Sequence, residues 1–311
     1  MAGGGHGTKA VIAAFFANLG IAIAKFIGYL ITRSGSMLAE SVHSLADTGN
    51  QALLLLGGRR ARREPSALHP FGYGRERYFW SFVVALVLFS LGSLFAIYEG
   101  LHKLDHPEAV ESPVVAYVIL SVAIVLEAFS LRTAIVESRI AKGRLSWAQF
   151  LRRAKTPELP VVLLEDIGAQ AGLVIALGAI TLSEATDNPR WDGYGTLTIG
   201  ALLGVIAVFL AIEMKGLLIG ESADPDVQQV IRRTVEADES VRRLIHVRTQ
   251  HLGPEELLVA AKVEFQPDLA GRELADAVNR VEAAIRAEEP MAEHIYLEPD
   301  ITDPDRPLTP G

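Results

Sequence analysis

Six long apolar runs in the first two thirds of this 311-residue chain constrain its fold more than any other feature. Each is near or above the roughly 20 residues that a helix needs to cross the hydrocarbon core of a bilayer. A soluble protein with six such helices would have little polar surface left. The sequence therefore predicts an α-helical membrane protein with six transmembrane helices. The runs, numbered here as spans 1 to 6, cover residues 10–31, 36–57, 78–101, 113–136, 158–183 and 193–219.

Composition narrows the classes of function that the chain can have. It contains no cysteine, which excludes a disulfide scaffold, a thiolate metal site and a cysteine nucleophile. The net charge of −8 is concentrated in residues 222–311, whereas the preceding residues are almost neutral. Nucleic acids bind basic surfaces, so this distribution argues against a nucleic-acid partner.

Lysine and arginine are distributed unevenly among the loops between the spans. The loops at 58–77 and 137–157 are rich in them, whereas the other three loops carry one each, Arg33, Lys103 and Arg190. Basic short loops stay in the cytoplasm. We therefore expect a multi-pass protein of the cell (inner) membrane with both termini cytoplasmic. Residues 1–9 are expected to form a disordered lead, and the six-helix transmembrane domain is placed at 10–220.

The hydrophobic pattern changes after residue 220 and predicts a small domain over residues 221–298. Its elements follow the order αββαβ, which is typical of a two-layer domain with helices on one face of a sheet. About 80 residues give only a marginal core, so dimerisation is expected. The proline-rich residues 299–311 are expected to be disordered. The predicted helices cover 227–235 and 274–285, and the predicted strands cover 244–250, 257–265 and 295–297.

Ionisable side chains inside the spans are the candidate functional residues, because each is costly to bury in a membrane. His43 and Asp47 in span 2 are four residues apart and share a helical face, which Glu40 extends. Span 5 carries Glu165 and Asp166 at a similar depth. An imidazole and carboxylates from two helices suit Zn²⁺, and also Mn²⁺, Fe²⁺, Co²⁺ or Ni²⁺. The alternative is a buried hydrogen bond between His43 and Asp47 that only helps the helices to pack.

Three segments resemble the cation diffusion facilitators, a family of zinc transporters. SGSMLAESVHSLADTGNQ at 34–51 and HPFGYGRERYFW at 69–80 are similar to the family's second span and the loop after it. GLLIGESA at 216–223 is similar to the junction between its sixth span and its cytoplasmic domain. The resemblance extends over residues 10–300. It implies six spans, a cytoplasmic αββαβ domain that dimerises, and a metal site in the membrane.

The resemblance also suggests which residues bind the metal. The family's transport site usually has two ligand pairs, one in span 2 and one in span 5, each spaced by four residues. His43 and Asp47 match the first pair, and Asp166 matches the second member of the other pair. The first member of that pair falls at Val162, which cannot bind a metal. A Glu-Asp pair in span 5 is similar to the branch that contains the mitochondrial zinc transporter of animals.

The fourth ligand and a second site stay open at this point. Water or Glu40 ranks above Glu165, because Glu165 is rotated by about 100° from Asp166 and would reach the metal only if the helix distorted. In the family, the loop after span 2 can carry a second metal site, for which His69 is the candidate. The family's usual second histidine is Tyr73 in this chain. The alternative is that the motif around His69 only builds a turn.

The resemblance implies a transporter rather than an enzyme. Its partners would be a divalent cation, protons, the lipid bilayer and a second copy of the chain. We expect a proton-coupled antiporter that exports Zn²⁺ from the cytoplasm, because metal ligands must lose protons to bind. An exporter of Mn²⁺ or Fe²⁺ is the alternative, with Co²⁺ and Cd²⁺ as further candidate ions. A metal-gated channel would use the same ligands without a proton gradient.

Overall fold

The computed structural model describes residues 19–301. The expected disordered lead at 1–9 and most of the expected tail at 299–311 lie outside the described residues. The chain divides into two compact units. Of the described residues, the first unit contains those up to Arg59 together with Phe79–Lys215, and the second contains Arg60–Tyr78 and those from Gly216 to residue 301. The loop after the second helix thus belongs to the second unit.

Long helices build the first unit. Four of them, named α3, α4, α6 and α7 below, are long and apolar enough to cross a membrane. Helix α2 has 27 residues but is more polar, since it carries the candidate metal ligands. Six spans therefore remain a prediction for the first two helices. The described helices are α1 (Leu19–Thr32), α2 (Gly35–Ala61), α3 (Glu76–Asp105), α4 (Pro113–Lys142), the short α5 (Trp147–Arg153), α6 (Glu158–Thr186) and α7 (Arg190–Ile219).

Small residues let the backbones of α3 and α7 approach closely. A Cβ atom on Gly200 would lie 2.9 Å from the backbone nitrogen of Ile97, and one on Gly100 would lie 2.8 Å from that of Leu197. This is the role expected of glycine between membrane helices. Helix α3 also contains a π-helical segment, Leu88–Leu94. Such segments occur frequently at functional sites.

The beginning of α2 is held by Asp192, which lies in the first turn of α7 and is fully buried. The Asp192 carboxylate accepts hydrogen bonds from the backbone N–H of Gly35 at 2.7 Å and of Ser36 at 3.3 Å. It also accepts hydrogen bonds from the hydroxyls of Ser34, at 2.8 Å, and Ser36. The first N–H groups of a helix lack intrahelical partners and carry partial positive charge. Asp192 therefore caps α2 from a neighbouring helix.

The second unit contains the predicted αββαβ domain. Strand β2 pairs with β1 in antiparallel and with β3 in parallel orientation, so β2 is central. The helices cover one face of the sheet, and Ile231, Val259, Val263, Val281 and Ile285 are fully buried between the two layers. The predicted order of elements matches the described one, although each strand in the structure is longer than the segment that the sequence pattern predicted. The elements are α8 (Pro225–Glu236), β1 (Val241–Gly253), β2 (Glu256–Phe265), α9 (Gly271–Glu288) and β3 (His294–Pro299).

Candidate metal centre

A small acidic cavity of about 20 Å³ lies between α2, α4 and α6 in the first unit. A cavity of this size has room for about one water molecule or one metal ion. Carboxylates from three different helices face it, which favours the binding of a cation. The lining residues are Ser44, Asp47 and Gln51 of α2, Glu127 of α4, and Val162, Glu165 and Asp166 of α6.

The two acids of α6 are each oriented by a different neighbouring helix. Ser130 of α4 donates a hydrogen bond from Oγ to Oδ2 of Asp166 at 2.9 Å. Asn50 of α2 donates from Nδ2 to Oε1 of Glu165 at 2.7 Å. Helix α6 is a continuous α-helix through this region. Both side chains therefore line the cavity on an undistorted helix, whereas metal binding by Glu165 stays a prediction.

His43 lies one turn before Asp47 and is fully buried. Its Nε2 is 3.4 Å from Oδ2 of Asp47, but its ring is not part of the cavity lining. Among the residues that the structure describes, neither ring nitrogen has a hydrogen-bond partner. Buried polar atoms are almost always satisfied. An imidazole of this kind next to an acidic cavity is therefore a candidate ligand.

Glu40 is placed differently from the other candidates. Its Oε2 lies 3.2 Å from Nζ of Lys25, and its Oε1 lies against Gly172 of α6. Both Glu40 and Lys25 are fully buried, and neither lines the cavity. Glu165, by contrast, does line it. Which of these two acids binds a metal stays a prediction, but only Glu165 lines the cavity.

Within residues 19–301, no three or more histidine and acidic side chains stand close enough together to hold a metal ion. The described site is thus an acidic cavity with an imidazole beside it, in which the side chains are not arranged as a complete set of metal ligands. Sequence reasoning did not include Glu127 or Ser130 among the site residues. Two features of the sequence could have indicated them. They are three residues apart and so share one face of α4, and an acid such as Glu127 is energetically costly inside a membrane span and therefore a candidate functional residue.

The comparison with known proteins decides the family. Residues 11–219 match the model of the cation efflux transmembrane domain, which covers most of the chain. The chain belongs to the cation efflux family. The predicted resemblance is thereby confirmed, and this family consists of transporters rather than enzymes, as predicted.

Three relatives show how far the similarity of this cation efflux protein extends. The "Proton-coupled zinc antiporter SLC30A9, mitochondrial" of Xenopus laevis is 38% identical over 244 residues, which cover 78% of this chain and 44% of the relative. The human protein of the same name is 36% identical over 244 residues, which cover 78% of this chain and 43% of the human protein. "Metal tolerance protein C4" of Arabidopsis thaliana is 32% identical over 262 residues, with 84% and 57% covered. The chain thus spans about half the length of these relatives.

His69 of this cation efflux protein lies in the loop of the second unit and is exposed. Its ring centroid is 4.7 Å from that of Tyr73, and Oγ of Ser66 is 3.1 Å from the Tyr73 hydroxyl. Phe71 packs edge-on against His294 of β3, with ring centroids 5.3 Å apart. The motif around His69 therefore builds a turn and contacts the sheet domain, whereas metal binding at His69 stays a prediction.

Glu256 at the start of β2 lies beside the same loop. A Cβ atom on Gly74 would lie 2.6 Å from Oε2 of Glu256. That oxygen is buried and has no hydrogen-bond partner in the described part of the chain. Partial burial raises the pKa of Glu256 above its usual range, the nearby charges of Glu293 and Glu255 raise it further, and His294 opposes them. The folded state therefore favours the protonated form of this carboxyl group.

We expect Glu256→Gln to raise the melting temperature of the second unit at pH 7 to 8. A carboxyl group with a raised pKa in the folded state stabilises the fold at acid pH, and this contribution is lost as the pH rises through the folded pKa. The advantage of the variant should disappear below about pH 4, where the unfolded chain is protonated too. Thermal unfolding of the full chain between pH 4 and 8 measures this, with Glu239→Gln, an exposed glutamate, as control. A variant that melts lower at pH 7 to 8 would contradict the expectation.

Proposed function

We propose that this chain is a proton-coupled antiporter that exports a divalent metal ion, foremost Zn²⁺, from the cytoplasm. The observation that carries the proposal is the buried cavity that Asp47, Glu165 and Asp166 line, with the unpartnered imidazole of His43 beside it. Nitrogen and oxygen ligands of this kind suit Zn²⁺, and they also accept Mn²⁺, Fe²⁺, Co²⁺ and Cd²⁺. The names of the SLC30A9 relatives as proton-coupled zinc antiporters support zinc as the substrate.

His43, Asp47 and Asp166 are the proposed metal ligands. We propose Glu165 as the fourth, because it lines the cavity and Glu40 does not. A modest turn of the His43 side chain would bring its nitrogen toward the same space, since Nε2 is already 3.4 Å from Asp47. Hydrogen bonds from outside the ligand set typically orient the ligands of a metal site, which is the role of Ser130.

Competition between metal and protons couples the two fluxes. The ligands must be deprotonated to bind metal, so binding of the ion releases protons and protonation releases the ion. When the cavity opens to the cytoplasm, the carboxylates attract the cation. When it opens to the more acidic side, protons replace the metal. Alternation between the two states exports metal in exchange for protons without a separate proton path.

The chain is proposed to lie in the cell (inner) membrane with its basic loops, and hence both termini, in the cytoplasm. The sheet domain of the second unit would then be cytoplasmic. Because its core is small, we propose that the domain pairs with that of a second copy. The expected partners are therefore the transported ion, protons, lipid and another copy of this chain.

Proton coupling can be tested in proteoliposomes that contain a zinc-sensitive dye. With an interior one pH unit more acidic and no membrane potential, protons leave and should drive more Zn²⁺ inward than without a pH gradient. Each exchanged proton raises the equilibrium ratio of internal to external zinc by a factor of about ten. A protonophore should abolish the difference. Zinc uptake that ignores the gradient would contradict antiport and indicate a metal-gated channel. Repeating the assay with Mn²⁺ and Fe²⁺ ranks the substrates.

A further inference from the structure

A lysine is buried at the edge of the acidic cavity. Lys25 lies on α1 and is fully buried, although lysines near the ends of membrane helices usually extend their charge toward water. Its Nζ is 3.2 Å from Oε2 of Glu40 and donates a hydrogen bond to Oγ of Ser44 at 2.6 Å. Its distance to Oε1 of Glu127 is 4.0 Å. Ser44 and Glu127 both line the cavity, so the ammonium group is next to it.

We propose that Lys25 withholds Glu40 from the transported metal. Glu40 lies three residues before His43 on the same face of α2, within reach of the ligands by sequence spacing. The ion pair with Lys25 turns one Glu40 oxygen toward α1, and the other lies against Gly172. The cavity therefore offers the metal one carboxylate fewer than the sequence places on this face. This inference rests on the proposed function, because it assumes a metal ion bound between α2 and α6.

The pair has a chemical consequence for transport. Each further carboxylate ligand strengthens the binding of a divalent cation and slows its release. A transport site must bind firmly enough to capture the ion and weakly enough to let it go. A buried ion pair is costly to maintain and contributes little net stability compared with apolar residues. Lys25 is thus a positioning residue whose charge keeps the metal affinity in a range that permits release.

Lys25→Gln is the variant that tests this, because glutamine can still donate a hydrogen bond to Glu40 but carries no charge. In purified full-length protein, we expect this variant to bind Zn²⁺ at least about ten times more tightly than the wild type and to release it correspondingly more slowly. X-ray absorption spectroscopy should detect one additional oxygen around the bound zinc. Lys25→Arg, which keeps the charge, should stay within about threefold of the wild type. The double variant Lys25→Gln/Glu40→Gln should not show the increase in zinc affinity, because it lacks the Glu40 carboxylate.

Several results would overturn the inference. Folded Lys25→Gln protein that binds zinc as the wild type does, or more weakly, would show that Lys25 does not limit affinity. Tight binding that persists in the double variant would show that Glu40 is not the released ligand. If Lys25→Gln does not fold, the Glu40→Gln variant loaded with zinc tests the inference by X-ray absorption spectroscopy. Since Glu40 does not bind the metal in the wild type, the variant must show the same number of oxygen ligands around the zinc. Loss of one oxygen there would overturn the inference.

The same titrations separate this inference from the proposed function. Asp166→Ala should abolish zinc binding if the proposed function is correct. If it does so while Lys25→Gln leaves the affinity unchanged, only the role of Lys25 fails. If zinc binding survives Asp166→Ala, the metal is bound elsewhere and the proposed function fails as well.

Discussion

Replacement of Asp47 or Asp166 by alanine is expected to lower proton-driven zinc flux by at least about 100-fold. Loss of a hydrogen bond that merely orients a metal ligand typically costs 10- to 100-fold, so removal of a ligand should cost at least as much. The two acids come from different helices and line one cavity. Each variant therefore removes one side of the proposed site, and the flux of both should fall together.

Two further variants serve as comparisons for the loss of flux in the aspartate variants. Ser130→Ala removes the hydrogen bond to Asp166 and should reduce the flux by about tenfold. Glu137→Ala removes an exposed acid from the same helix, α4, and should leave the flux unchanged. The measurement is zinc uptake into proteoliposomes under a fixed pH gradient, at equal amounts of folded protein. Near-normal flux in both aspartate variants would show that the cavity is not the transport site.

Asp192→Ala is expected to destabilise the first unit by about 3 kcal/mol, because it leaves several buried donors at the start of α2 without an acceptor. Asp192→Asn keeps one acceptor oxygen, so the stability of the first unit should fall by about half as much as in the alanine variant. Since α2 carries His43 and Asp47, the alanine variant should also transport poorly where it does fold.

Thermal unfolding in detergent, followed together with the yield of monodisperse protein, measures this loss. Asp105→Ala removes an exposed carboxylate from the end of α3 and serves as the matched control. A melting temperature for Asp192→Ala equal to that of the control would mean that water or another group satisfies the start of α2.

The domain at the carboxyl end could be predicted because its signals are local. Residues that alternate along 257–265 and recur at helical spacing along 274–285 correspond to β2 and α9. The docking of the loop with the same unit could not be predicted. It depends on contacts between residues far apart in the chain, such as the approach of Gly74 to Gly253 and of Phe71 to His294.

The candidate site shows the same division between local and distant contacts. Helical spacing predicts that His43 and Asp47 share a face, and they do. Spacing on one helix rotates Glu165 by about 100° from Asp166, yet both side chains line the same cavity, because residues of three helices surround it. The pairing of Lys25 with Glu40 joins two helices. No pattern within a single helix could show that Glu40 pairs with a lysine of another helix.

Calorimetric titration of the purified protein with Zn²⁺, wild type against Asp166→Ala at two pH values, tests the central claim most directly. The account predicts that the wild type binds zinc and releases protons, so that the measured heat depends on the ionisation enthalpy of the buffer. It predicts that Asp166→Ala does not bind zinc in the same concentration range. Zinc binding that persists in Asp166→Ala would contradict the account and place the metal outside the membrane cavity, at the loop or sheet-domain histidines.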